Sequence, residues 1–218
     1  MASKIRKIVI ICSCIFTVLG MFHSILALIW PSWQIVNLEE NNTTHYHGLF
    51  EDCIDGVSNE FIDKLNDSNK DITSIDNQYY CILKSYYSKN NDTYYRDEND
   101  FFDEYKRHKY YGWHIFTILI LLLTFITSFI SLCFGAYTCC CPTILLINKA
   151  MTFLTWLLSM IILIVFYYYS QQSENRFIKG KVDTYEQHLG IGYFLQMAAT
   201  LYHFIAFVLA LFTTKKFY

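Results

Sequence analysis

The chain is short of charge where a soluble protein would have it. Of its 218 residues, 17% are Asp, Glu, Lys or Arg and only two are proline, against 54% apolar and 18% aromatic. Four long stretches, Ile8 to Trp30, Trp113 to Ala136, Ala150 to Tyr169 and Leu189 to Phe212, contain no Asp, Glu, Lys or Arg. A soluble enzyme built around one large core is excluded by that distribution. The basic footprint of a nucleic-acid-binding protein is missing too. No G-x-S-x-G, H-E-x-x-H, P-loop or dinucleotide fingerprint occurs, so neither an enzyme nor a bound cofactor is expected. With no acidic or basic residue inside the four stretches, an ion-coupled transporter or proton pump is disfavoured as well.

What is present is length. A helix of about 20 apolar residues crosses a hydrocarbon core of about 30 Å, and each stretch reaches that length. The sequence therefore predicts four membrane spans at 8–30, 112–136, 150–169 and 189–212. The first follows basic residues as a signal peptide would, but it exceeds an h-region of roughly 7 to 15 residues and reads as a retained anchor.

Charge assigns the sides. Lys4, Arg6, Lys7, Lys149, Lys215 and Lys216 stand in the N-terminus (1–7), the connection at 137–149 and the tail (213–218), with no acid among them. The connection at 31–111 holds 16 acids and 8 bases, and that at 170–188 holds three of each. By the positive-inside tendency both termini and 137–149 are cytosolic, and 31–111 and 170–188 are extracellular loops. The N-x-[ST] sequons at Asn41, Asn42, Asn66 and Asn91 all fall in the first outer loop, as glycosylation sites should.

Compartment also sorts the cysteines. Cys53 and Cys81 are the two on the oxidising side and are expected to form a disulfide; two free thiols are the alternative. Cys12, Cys14 and Cys133 lie in or near spans, where small apolar roles suffice. Cys139, Cys140 and Cys141 form a juxtamembrane cluster suited to S-palmitoylation. Three consecutive thiolates converge poorly on a tetrahedral zinc ion.

The first outer loop opens with Trp33-Gln34-Ile35-Val36-Asn37-Leu38, which alternates as a strand does. It continues through Gly48, Leu49, Phe50 and Cys53 to Cys81. This order resembles the claudin superfamily of peripheral-myelin-protein and claudin-like four-pass proteins, whose first outer loop carries W, then G-L-W, then two cysteines. Trp33, Gly48, Leu49, Cys53 and Cys81 stand at the matching places, with Phe50 for the usual Trp. The P-x-W-Q-V opening at Pro31 to Ile35 and Val36 resembles the nematode claudin-like (Clc-like) branch. Gly135 to Lys149 resembles the superfamily's Cys-rich inner connection, and Gly190 to Leu195 the start of its fourth helix, with Gly192 where relatives often have Ser.

The resemblance implies an all-α membrane core with extracellular β: a left-handed four-transmembrane-helix bundle capped by a small antiparallel sheet, mostly from the first loop with one strand from the second. Trp33, Leu49 and Phe50 would form the buried base of the sheet. The first loop is longer than in ordinary claudins. Its residues 58–65 carry a capped amphipathic pattern for a short helix, and 97–111 read as an outward extension of the second span. The acidic run at 97–104 lacks EF-hand spacing and reads as a solvated face.

His203, one heptad from Gln196 in the fourth span, is expected to make a helix-to-helix hydrogen bond, with a proton or substrate role as the sharper alternative. Thr124, Thr127, Ser128 and Ser131, and Thr152, Thr155 and Ser159, form stripes suited to internal packing. His45 and His47 share a strand face; exposed loop histidines are the ordinary reading and a metal with a third ligand the sharper one.

Two functions fit. One is a plasma-membrane auxiliary subunit beside an ion channel or receptor, contacting it through the bilayer and the outer sheet. The other is a junction protein that assembles with like molecules into an adhesive seal or pore. Long, sequon-rich loops and an ending unlike the scaffold-binding tails of many claudins favour the first. Lys215 and Lys216 resemble a dilysine retrieval signal, from which an early-secretory role would follow, although basic residues closing a span account for them.

Overall fold

The computed structural model describes residues 2–39, 43–56, 79–84, 111–138, 144–179 and 183–213. The expected helix at 58–65, the extension at 97–111 up to Tyr110, the four sequon asparagines, Cys139 to Cys141, Lys215 and Lys216 lie outside these residues.

Four long helices dominate: α1 (Ala2–Ile29), α2 (Gly112–Tyr137), α3 (Ile144–Ser170) and α5 (Ile191–Phe212). Each is long and apolar enough to cross a membrane, and the chain is a multi-pass membrane protein. Because α3 starts at Ile144, Asn148 and Lys149 are helical. Leu189 belongs to a strand that precedes α5. Between the helices lie β1 (Gln34–Leu38), β2 (Thr43–His47), β3 (Glu51–Asp55), β4 (Tyr79–Leu83), a single turn α4 (Ser173–Arg176), β5 (Phe177–Lys179), β6 (Thr184–Glu186) and β7 (His188–Leu189). The chain divides into two compact units: a helical unit of Met1–Ala27, Phe116–Phe166 and Phe194–Tyr218, and a sheet unit of Leu28–Ile115 and Tyr167–Tyr193.

The helical unit is arranged inside out relative to a soluble bundle. On α1 the buried positions are Ile10, Ser13, Thr17, Gly20, Ser24 and Ala27, one helix face of mostly small residues, whereas Ile8, Ile11, Ile15, Val18 and Phe22 are exposed. Lipid solvates large apolar side chains as well as protein does, so small residues and hydrogen bonds take the interface. Ser13 Oγ donates to Ala206 O at 2.8 Å, joining α1 to α5. Thr155 donates to Thr127 at 3.1 Å and Ser131 to Asn148 Oδ1 at 3.2 Å, joining α3 to α2. Ser159 and Thr200 hydroxyls lie 2.7 Å apart, and Gln196 Nε2 donates to Ser159 at 2.9 Å, joining α3 to α5. At Gly135, a Cβ would come 2.8 Å from Cys14 Sγ, which brings α2 against α1. The four helices thus close a ring, and the two hydroxyl stripes are its internal seams.

His203 departs from expectation. Its Nε2 has no hydrogen-bond partner among the described residues, and its ring instead occupies the space opposite Gly20, where a Cβ would stand 2.6 Å from Cε1. Shape, rather than a helix-to-helix hydrogen bond, explains its place.

In the sheet unit the strand order is β4-β3-β2-β1-β7, antiparallel throughout. The alternation of β1 turns Gln34, Val36 and Leu38 inward. Val36 and Leu38 pack with Ile178 of β5 and Tyr185 of β6, the two strands of a second small sheet. The second loop thus supplies the one expected strand, β7, and an additional hairpin.

Candidate functional site: a disulfide-pinned sheet over a buried polar cluster

The motif residues form the turns of the sheet. Pro31 ends the first span and Trp33 follows fully buried, its N–H donating to His47 O at 2.9 Å and its C=O accepting from Gly190 N at 2.8 Å. Gly48 closes the β2–β3 turn by donating to Glu51 O at 2.9 Å; a Cβ there would lie 2.6 Å from that oxygen and 2.9 Å from Pro31 Cα. Leu49 is fully buried, but Phe50 is only half-buried, so the aromatic base expected of Trp33, Leu49 and Phe50 is narrower than three sealed side chains. The Phe50 backbone still ties the sheet together, since its C=O accepts from Lys84 N at 2.8 Å.

Cys53 and Cys81 are directly opposed across β3 and β4 and form a disulfide. Closing a separation of 28 residues removes unfolded-state entropy worth roughly 3 to 4 kcal/mol on the chain-entropy model.

The opposite face of the same strands carries a row that the sequence reading did not find. Register places Leu189, Gln34, His47 and Asp52 side by side across β7, β1, β2 and β3. Lys84, at the end of β4, reaches Asp52 with Nζ 3.3 Å from Oδ1, and His47 Nδ1 lies 3.4 Å from the same oxygen. Both partners of the lysine pair are sealed from solvent, Lys84 at 0% and Asp52 at 2% exposure. His114, in the first turn of α2, is also buried, and a cavity of about 20 Å³ is shared by Gln34, His47, Lys84, His114, Asn175 and Gln187. Lysine is almost never fully buried unless paired. The signal available beforehand was the Gly48-Leu49-Phe50 turn, which sets His47 opposite Asp52. Lys84 carries no local mark of burial.

His45 and His47 do face the same way, with ring centroids 6.5 Å apart, but both are buried at 5% exposure, contrary to the ordinary reading of exposed loop histidines. The strand alternation turns them under the sheet. Among the described residues no group of three His, Cys, Asp or Glu side chains is arranged to hold a metal ion. Chemically the cluster is a buried ion pair with histidine neighbours. Its ion pair ties β3 to Lys84, the residue after β4, and His114 of α2 lines the same cavity.

Four membrane-capable helices with a disulfide-pinned antiparallel sheet define a claudin-like four-pass membrane protein. The Clc-like family model matches residues 7–218, and the chain belongs to that family. No curated protein matches it.

Proposed function

We propose that this protein is a non-enzymatic auxiliary subunit of an ion channel or receptor in the plasma membrane, with both termini cytosolic and the sheet unit outside. The observation that carries the reading is the first outer loop, 81 residues with four sequons, since glycans on Asn41, Asn42, Asn66 and Asn91 would crowd side-by-side strands or a close cell-to-cell contact. The sheet supports it further. β1 pairs with both β2 and β7, so a partner gripping the sheet acts on both outer loops together. Such a subunit modulates its partner by binding one gating state better than another, because only differential affinity shifts an equilibrium. Acylation of Cys139 to Cys141 would add a lipid anchor beside α2.

Affinity purification from native membranes in mild detergent, with mass spectrometry of everything retained, tests the assignment. A stoichiometric channel or receptor is the expected result. A ladder of self-oligomers alone would transfer the assignment to a junction protein, for which strand formation between transfected cells is the readout.

A further inference from the structure

One surface of the helical unit combines two chemistries along a single line. Lys4, Lys7, Ile11, Cys14 and Val18 recur at three- and four-residue steps and so lie on one face of α1. Below the two lysines, that face borders an apolar groove of about 330 Å³ between α1 and α2, lined by Ile10, Ile11, Cys14, Val18, Gly135 and Ala136. Within the groove Gly135 carries no side chain, and a Cβ there would come 2.8 Å from Cys14 Sγ. From Ile10 to Val18 the helix rises about 12 Å, most of one leaflet of a hydrocarbon core about 30 Å thick.

The mouth of the groove is strongly positive. Arg6 stands one helical turn before the groove-lining Ile10, and Lys149 follows Asn148, whose Oδ1 lies 3.8 Å from where a Cβ on the groove-lining Gly135 would stand. Among the described residues of the four helices there is no Asp or Glu to offset Lys4, Arg6, Lys7 and Lys149. Four uncompensated cations at the end of an apolar slot match an amphiphile with an anionic head and a hydrocarbon tail. A partner helix would leave the cations unmatched unless it brought acids to that depth.

We propose that this groove binds an anionic phospholipid, its headgroup held by Arg6, Lys7 and Lys149 with Lys4 beside them, and one acyl chain lying between α1 and α2. Basic pockets between spans hold acidic headgroups in this way.

The test uses the full-length protein in nanodiscs of phosphatidylcholine doped with phosphatidylserine in one arm and phosphatidylinositol bisphosphate in another, followed by native mass spectrometry as lipid is stripped. One anionic lipid should remain after phosphatidylcholine has left, and the two arms tell whether a single-charge headgroup suffices. Each of R6Q, K7Q and K149Q should weaken retention about five-fold. Ala136 is exposed, so A136W fills the groove without entering the helix interface and should abolish retention with all four cations in place. Should A136W fail to yield monodisperse protein, V18W fills the same groove from another exposed position. Equal retention of phosphatidylcholine and anionic lipid by the wild type, or wild-type retention by the filled-groove variant or by the triple Gln variant, overturns the proposal.

Discussion

Trp33 lies over the spot where Gly192 has no side chain: a Cβ on Gly192 would stand 2.6 Å from Trp33 Cδ1 and 3.1 Å from Ser32 O. The backbone holds the same pair of segments together, since Gly192 N donates to Ser32 O at 2.7 Å and Gly190 N to Trp33 O at 2.8 Å. A fully buried indole has little room to move away, so G192V should overpack the junction of β1 and the start of α5 and cost about 1 to 3 kcal/mol. The change should appear as a lower thermal midpoint in detergent and a shifted tryptophan emission. Unchanged stability would mean that Trp33 is not held as described.

The Lys84–Asp52 pair makes an asymmetric prediction. Removing either partner leaves a charge buried and unmatched, so K84M or D52L alone should cost about 3 to 5 kcal/mol. Replacing both removes the burial cost together with the attraction, and the double variant should recover most of that loss. The measurement is a double-mutant cycle on thermal unfolding of detergent-purified protein. Additive single effects would show that the two side chains do not interact across β3 and the end of β4.

Much of this arrangement could be read from the sequence because its causes are periodic. Long runs without charge set the spans, and alternation from Trp33 to Leu38 set β1. Hydroxyl residues at helical spacing set the seams that Thr155–Thr127 and Ser159–Thr200 now join. What could not be read depends on pairing between distant segments. Lys84 becomes a buried ion-pair member only because β4 docks beside β3, and β4 is separated from β3 by a long intervening segment. His203 takes its place from a glycine on another helix. The β5–β6 hairpin rests on two three-residue strands, too short for alternation to mark, and gains its burial from Val36 and Leu38 of β1.

The disulfide predicts a loss confined to the sheet unit. C53S/C81S should lower stability by roughly 3 to 4 kcal/mol. Under the auxiliary reading it should also abolish surface expression or modulation of the partner. Non-reducing peptide mapping checks the bond, and surface biotinylation checks the consequence. Full modulation by the double serine variant would separate the disulfide from the activity.

Within the helical unit, Ser159 is the residue on which two other polar side chains converge. Its hydroxyl meets Thr200 at 2.7 Å and accepts from Gln196 Nε2 at 2.9 Å, and all three side chains are buried between α3 and α5. In lipid such contacts are worth about 0.6 to 2 kcal/mol, because the separated helices also find partners for their hydroxyls. S159A should therefore cost about 1 kcal/mol and leave the fold intact. S159L forces a branched chain between helices spaced for a hydroxyl and should cost more, by overpacking. Steric trapping or thermal unfolding in bicelles distinguishes the two. If S159L were as stable as S159A, α3 and α5 would not be packed as closely as the 2.7 Å hydroxyl contact requires.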